Sequence, residues 1–480
     1  MRTYDKLFIG GKWDEPAGTG TIEVISPHSE ELVGSVPEAT EADVDRAVAA
    51  ARQAFDHGPW PRMTPQERIA VVSRFTEIYA TRLGDLAAVI TEEMGSPLWF
   101  SELAQAPAPW MQLTSFLQIA GAYEWEETRT GMLGEQVIVR REPVGVVGVI
   151  PPWNVPQFTI MSKLAPALIA GCTLVIKPAP ETPLDAFVMA DMLVEAGVPE
   201  GVVSIVPAGR EVGEYIVRHP GVDKISFTGS TAAGRKIGAI CGEMLKRFSL
   251  ELGGKSAAII CDDVDLGAIK DELKFAALMN NGQACIAQTR ILASRSRYAD
   301  VVDMLGTMVG ELKVGDPADR DNYIGPLVAK RQQERVEKYI ALGQEEGARV
   351  VVGGNGRPSG LEKGWYVQPT VFADVSNDMR IAQEEIFGPV LAVIPYDDEE
   401  DAIRIANDSE YGLAGSVWTN DAGKGLDIAR RVRTGTIAVN RYLMDFFAPF
   451  GGFKASGLGR EFGREGLEEY LEAKTMIPPF

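Results

Sequence analysis

The sequence predicts an α/β protein of two or three lobes built on parallel sheets. Three observations predict it. The chain has 480 residues, and single cores stop growing at about 250–300 residues. From Val146, strand-like runs alternate with helical ones over about a hundred residues, the pattern of βαβ units and a parallel sheet. From about Ser256 a second α/β pattern begins and runs to about residue 440.

Residues 7 to 36 read as short strands around Gly10-Gly11 and Ser26-Pro27. Thr40 is positioned as an N-cap for a helix through about Phe55, with Asp43 at the capping-box position. Helical patterns follow from about Pro65 to Arg82 and from about Pro97 to Tyr123, and stripes such as Ile69, Val72, Phe75, Ile78 and Tyr79 mark core faces. Gly134 to Arg141 has strand character and is a candidate for a hairpin leaving the main body. Then come the strand Val146 to Ile150, helix Phe158 to Ala170, strand Thr173 to Ile176, helix Pro183 to Glu195 and strand Val202 to Val206. A short helix near Glu211 to Arg218 leads to strand Lys224 to Phe227, helix Thr231 to Gly242 and strand Arg247 to Leu250. The second pattern opens with strand Ala257 to Cys261 and helix Leu266 to Asn280. Later it holds strand Thr436 to Val439 and an aromatic-rich loop, Tyr442 to Phe450.

Composition narrows the function. The chain is 45% hydrophobic and 24% charged, with a net charge of -20. That balance argues against binding a nucleic-acid backbone, which needs a basic surface, and against anionic membranes. Solubility is the plain explanation. The apolar run Leu7-Phe8-Ile9 is too short for a signal-peptide core. The richest apolar window, Pro143 to Ile150, is cut by Gly145 and Gly148 and falls short of spanning length. The four cysteines (Cys172, Cys241, Cys261, Cys285) form no CxxC pair and no metal-ligand spacing, so no metal is expected and a reducing, cytoplasmic setting fits. His28, His57 and His219 are the only histidines, and all lie in turn-like stretches. A Cys-His or Ser-His pair is therefore not expected, and a general base should be a carboxylate.

Parallel sheets bind ligands at the carboxyl ends of their strands. The loops there are Pro151-Pro152-Trp153-Asn154, Lys177-Pro178-Ala179-Pro180, Thr228-Gly229-Ser230 and Glu251-Leu252-Gly253-Gly254-Lys255. Gly229-Ser230-Thr231 at a helix start could hold a phosphate, yet it is neither a G-x-G-x-x-G fingerprint nor a P-loop. Cys285 lies in a polar, turn-forming segment, Asn281 to Arg290. A lone cysteine is ordinarily a small buried hydrophobe, an asparagine beside prolines a turn residue, and a glutamate before two glycines a cap. One chemistry would use all three. A thiolate adds to an aldehyde carbonyl, and the tetrahedral oxyanion expels hydride to a nicotinamide. Asn154 would be an oxyanion donor worth about 3 kcal/mol, with a backbone N–H near Cys285 as the second. Glu251 would activate water to hydrolyse the thioester.

Pro152-Trp153-Asn154, Lys177-Pro178, Phe227-Thr228-Gly229-Ser230, Glu251-Leu252-Gly253-Gly254-Lys255, Gly282-Gln283-x-Cys285, Glu385-Ile386-Phe387-Gly388-Pro389 and Pro449-Phe450-Gly451-Gly452 occur in one order along almost the whole chain. In these motifs the sequence resembles the aldehyde dehydrogenase superfamily. The resemblance implies a Rossmann-like parallel-sheet cofactor domain (residues 1–122 and 143–253), a second α/β catalytic domain (254–455) and a small β oligomerisation arm (123–142 with 456–480). It implies Cys285 as nucleophile, Asn154 as oxyanion donor and Glu251 as base, with Lys163 and Glu461 in a proton relay. It implies NAD as cofactor: Lys177 at the adenine ribose, Gly229 and Ser230 at the pyrophosphate, and Glu385 at the nicotinamide ribose. Phe387 and Leu252 would pack near the cofactor, and Ile150, Pro151 and Trp153 would line its path. A homodimer or homotetramer is implied.

One departure bears on the cofactor. Three residues after Lys177, many NAD-preferring members carry a glutamate. Here Pro180 stands there, which removes a repulsion against a 2′-phosphate and leaves NADP open beside NAD. Candidate substrate walls are Met111, Val155, Thr159, Ser162, Ala284, Ile286 and the Tyr442 to Phe450 loop, with Arg441 the one basic residue among them. Two alternatives stand beside hydrolytic aldehyde oxidation. A CoA-acylating semialdehyde dehydrogenase would need no water-activating Glu251. A cofactor-binding protein of the same fold could have lost its chemistry, against which Cys285, Asn154 and Glu251 stand together.

Overall fold

The computed structural model describes residues 1–479. Its first sheet has eight strands in the order Gly457–Leu458, Arg247–Glu251, Lys224–Thr228, Val146–Ile150, Thr173–Ile176, Val203–Ile205, Leu7–Ile9 and Lys12–Asp14. The five from Arg247–Glu251 to Val203–Ile205 run parallel, and the flanking three are antiparallel to their neighbours. The central strands are buried on both faces: Val146–Ile150 (VVGVI) and Thr173–Ile176 (TLVI) are buried throughout. Continuous apolar runs are what a sheet covered by helices on both sides requires.

Strand order reverses beside Val146–Ile150. The chain steps outward through Thr173–Ile176 to Val203–Ile205, then returns to add Lys224–Thr228 and Arg247–Glu251 on the other side. That switch point opens a crevice between the loops that follow Ile150 and Thr228.

The second sheet has seven strands in the order Arg349–Val352, Thr370–Ala373, Val390–Tyr396, Arg290–Ser294, Ala257–Ile260, Gly415–Trp418 and Ala438–Val439, parallel except for the first. Separate apolar cores fill its two faces, one around Phe372 and Ile386 and one around Leu273 and Trp418. The core of the first sheet reaches across to Ala276, Met279, Ile286 and Leu413 and joins the two halves. A third, antiparallel sheet pairs Glu126–Thr130, Gln136–Pro143 and Leu471–Met476. Residue 480 of the implied arm lies outside the described residues. Arg2–Thr3, Thr21–Ile25 and Leu32–Pro37 form a small sheet at the start of the chain.

Helix Glu41–Asp56 carries the expected capping box of Thr40 and Asp43. Two expectations change. Helix Leu83–Met94 was not anticipated; its N-cap, Arg82, makes no side-chain capping bond, so the usual start signal is missing. The single helix expected from Pro97 to Tyr123 is divided into Leu98–Phe100, a wide turn at Ser101–Gln105 and Pro107–Gly121. Pro107 and Pro109 lack the N–H groups that a continuous helix would use there.

Candidate active site

Three loops from the carboxyl end of the first sheet meet one loop from the amino end of a strand in the second. Asn154 follows strand Val146–Ile150 and is buried. Its Nδ2 donates to the Gln283 carbonyl at 2.9 Å, two residues before Cys285. The Asn154 carbonyl accepts from Gln105 Nε2 at 3.0 Å and Asn280 Nδ2 at 2.9 Å. Held on both sides, the amide still has a second N–H for a ligand.

The cysteine turn is made of unusual backbone. Asn280, Asn281 and Gly282 all have positive φ, at 53°, 61° and 71°. Asparagine tolerates this region better than other side chains, and a Cβ at Gly282 would strike the Gly388 carbonyl. Side-chain amides fix the turn. Asn281 Nδ2 donates to the carbonyls of Gly95 (3.0 Å) and Pro326 (2.9 Å), and its Oδ1 accepts from Gly325 N (2.7 Å). Gln283 Oε1 accepts from Val328 N at 3.1 Å.

Glu251 ends strand Arg247–Glu251 and is buried, with Oε2 unpartnered. Burial pushes its carboxyl well above the usual carboxylate range, and Glu461 adds to the shift while Lys163 and Arg460 oppose it. Lys163 is fully buried inside helix Pro156–Ala170; its Nζ donates to Thr228 Oγ1 at 2.7 Å and to Glu461 Oε1 at 2.5 Å. Gly254 closes the ring of contacts. Its N–H donates to Glu385 Oε1 at 2.9 Å, and a side chain there would strike the Cys285 carbonyl.

The Cys285 thiol is half-buried. Burial, then Glu385, Glu251 and Glu461, push it up, and a backbone N–H opposes them. No histidine enters this environment: His28 Nδ1 meets the Tyr366 hydroxyl at 2.6 Å and His219 Nε2 meets Asp45 at 3.2 Å, both elsewhere. Among the described residues no group of three or more His, Cys, Asp or Glu could hold a metal.

The crevice is lined by the residues expected at a dinucleotide, and it carries no glycine fingerprint. Ser230 caps helix Thr231–Glu243 through Ala233 N at 3.3 Å, and the first-turn N–H groups beside Gly229 have no intrahelical acceptor. A Cβ at Gly229 would press into the Phe227 ring. Leu252 is buried under Gly234 of the same helix. Lys177 is buried after strand Thr173–Ile176; its Nζ donates to the Ala208 and Pro178 carbonyls at 2.8 and 3.1 Å, and burial lowers the ammonium to about 8. Ile150 and Pro151 are buried at the crevice floor. Trp153 and Phe387 meet edge to face, 5.4 Å between centroids, bringing the two halves together over the crevice.

The twelve residues singled out from sequence lie at the carboxyl ends of the first sheet's strands or in the loops of the second half that touch them: Glu385 through Gly254, Phe387 through Trp153, and Cys285 beside Gly254. Sequence reasoning missed Gln105, which props Asn154 and whose signal was the pair of prolines at 107 and 109. It also missed the side-chain work of Asn280 and Asn281, for which Asn-Asn-Gly before the cysteine was a readable turn signal. Arg335, which donates to the Ile386 carbonyl at 3.2 Å and steadies the Glu385–Phe387 loop, gave no signal.

A model of the aldehyde dehydrogenase family matches residues 13–476. Geranial dehydrogenase from Castellaniella defragrans is 46% identical over 473 residues, 98% of both chains. A crystal structure of a Mycobacterium tuberculosis aldehyde dehydrogenase complexed with NAD+ superposes with a TM-score of 0.98 at 54% identity, covering 100% of this chain and 99% of that one. An aldehyde dehydrogenase from Pseudomonas syringae, solved as a mutant with NAD+ and octanal, superposes at 0.95 with 40% identity over 98% of this chain and 96% of that one. The chain belongs to the aldehyde dehydrogenase family.

Proposed function

We propose that this protein oxidises an aldehyde to its carboxylic acid with NAD, using Cys285 as nucleophile, Asn154 as oxyanion donor and Glu251 as base. The observation that carries the assignment is the bond from Asn154 Nδ2 to the Gln283 carbonyl at 2.9 Å, which ties an uncharged donor to the backbone two residues from the thiol. Bound NAD supplies the hydride acceptor. The Cys285 thiolate adds to the carbonyl carbon, and the second N–H of Asn154 stabilises the oxyanion of the thiohemiacetal. Loss of hydride leaves a thioester on Cys285. Glu251 takes a proton from water as that water attacks, and the acid leaves with the thiol restored. Burial in a carboxylate-rich site raises Cys285, and Lys163 and Glu461, bonded to each other, would relay onward the proton that Glu251 takes from water.

NAD is the cofactor supported by two structural relatives solved with NAD+. Lys177 would hold the adenine ribose, Gly229 and Ser230 the pyrophosphate, and Glu385 the nicotinamide ribose. Ile150, Pro151, Trp153, Leu252 and Phe387 would enclose it. Residues 1–122 and 143–253 would form the cofactor domain, residues 254–455 the catalytic domain, and 123–142 with 456–480 the oligomerisation arm of a homodimer or homotetramer. No helix of the described residues is long and apolar enough to cross a membrane, and a cytoplasmic location is part of the proposal.

Nicotinamide reduction with a panel of aldehydes, NAD and NADP in parallel, tests the reading. Turnover with NAD that disappears in Cys285→Ala is expected. Turnover that survives in Cys285→Ala overturns the nucleophile, and an absolute requirement for CoA overturns the hydrolytic step.

A further inference from the structure

We infer that the cavity behind the Gly253-Gly254-Lys255 loop is a binding site for one small inorganic anion, a halide. The cavity lies at the amino ends of strands Ala257–Ile260 and Gly415–Trp418, which pair in parallel. Loops 411–413 and 432–434 close it. They are tied together just beyond: Gly435 N donates to the Gly412 carbonyl at 3.1 Å and Thr436 N to the Leu413 carbonyl at 3.0 Å. The cavity volume is ≈ 10 Å³, room for a single water-sized body.

Two independent observations meet there. The first is unmet hydrogen bonding. Four buried hydroxyls have no partner among the described residues, and two of them, Ser256 Oγ and Thr434 Oγ1, belong to residues lining this one cavity. Buried hydroxyls are ordinarily paired, and an orphan points to a water or an ion. The second is charge. Lys255, Arg290 and Arg433 line the cavity, and no carboxylate does. Lys255 is 2% exposed. Burial lowers its ammonium to about 7, Arg290 and Arg335 push the same way, and Glu385 and Glu384 oppose through space without a hydrogen bond. Arg290 is fixed in place. Its guanidinium donates to the carbonyls of Lys255 (2.9 Å), Ile405 (3.0 Å) and Ala406 (3.0 Å) and to Asn377 Oδ1 (3.1 Å). All four acceptors are neutral, and Asp408 acts on it only through space. Arg433 is exposed and marks the side open to solvent.

A water would accept from both hydroxyls but leave two buried cations without opposite charge in contact, which is unfavourable. An anion meets both needs. Size selects among anions: phosphate, sulfate and carboxylates have several heavy atoms and exceed the cavity, whereas a halide is a single atom. The position ties the site to the crevice. Gly254, next to Lys255, donates to Glu385 Oε1 at 2.9 Å and seats against the Cys285 carbonyl. The anion would therefore brace the loop that joins Glu251 to the second half.

Urea unfolding of the full chain at fixed ionic strength, with gluconate replaced stepwise by bromide, tests the inference. Above the dissociation constant, each tenfold in bromide should shift the folding equilibrium about tenfold. Thr434→Val and Ser256→Ala each take away one hydroxyl and should each lose most of that dependence, whereas a general salt effect would persist in both. Anomalous diffraction from crystals of the parent protein grown in bromide should place one ion in contact with both hydroxyls. No dependence on bromide, a dependence unchanged in both variants, or no anomalous peak in the cavity overturns the inference. If neither variant folds, the anomalous map of the parent protein decides alone. None of these outcomes bears on aldehyde oxidation.

Discussion

Two pairs of buried carboxylates sit in this protein, and they are built for opposite ends. Glu251 and Glu461 share the field of an ammonium: Lys163 Nζ bonds Glu461 Oε1, and Glu251 keeps one oxygen unpartnered. Glu93 and Asp185 have no cation. Glu93 instead accepts from the first N–H groups of helix Leu184–Glu195, Leu184 N at 2.9 Å and Asp185 N at 3.1 Å. Asp185 and Gln157 lie beside it, fully buried, and Tyr79 donates to Gln157 Oε1 at 3.2 Å. Burial pushes Glu93 up, with Asp185 adding to the shift, and raises Asp185 to about 7. Two acceptor contacts at a helix N-terminus oppose that rise at Glu93, and the two carboxyls hold a proton between them. Burial alone thus does not mark a catalytic carboxylate. The pair proposed for catalysis has a counter-ion and an unpartnered oxygen; the other pair has a helix end.

Breaking the pair proposed for catalysis should have the largest effect. Glu251→Gln should lower steady-state kcat by about 10²–10⁴-fold while an enzyme-equivalent burst of nicotinamide reduction persists, because acylation precedes the step that needs the base. Asp185→Asn in the same stopped-flow assay should stay within about twofold. A burst that vanishes with Glu251 would place it in the first half-reaction instead.

Removing the counter-ion comes next. Lys163→Met removes the ammonium bonded to Glu461 and leaves the two buried carboxylates only the field of Arg460, and urea unfolding should show a loss of about 3–5 kcal/mol. The loss should be greater at pH 8 than at pH 6, because carboxylates stripped of their cation can neutralise themselves only by taking up protons. A loss independent of pH would show that Lys163 serves as packing.

The smallest effect isolates the structural pair. Asp185 has a folded pKa of about 7 against 3.8 unfolded, so between those values the fold retains a proton that the unfolded chain releases. Its contribution therefore falls as pH rises through that window and is constant above it. Asp185→Asn should flatten the stability profile between pH 5 and pH 8 by about 2 kcal/mol. An unchanged slope would assign the proton to Glu93.

The parallel sheet around Val146 was legible because its strands are buried on both faces and bounded by Gly and Pro; Val146–Ile150 and Thr173–Ile176 match expectation to the residue. Asn154 and Glu251 stood out because they sit where chain chemistry changes abruptly, at the exits of apolar strands, where the structure also places them. Helix Leu83–Met94 was not, for want of a cap. Nor was the support under the site. Gln105 reaches Asn154 only because a wide turn interrupts its helix, and the Glu93–Asp185 pair depends on helices that meet across about ninety residues of sequence. Periodicity reports which face of an element is buried, and says nothing about which polar side chain crosses to another element.

The anchoring of Asn281 also has a consequence during synthesis. Its partners are Gly95 on one side and Gly325 and Pro326 on the other, and Gly282 seats against Gly388. The turn cannot lock until the ribosome has added about a hundred residues beyond Cys285. At about 5–20 residues per second, the thiol spends seconds to tens of seconds on a growing chain that has not yet closed around it. The thiol is therefore least covered while residues 286–388 are being made.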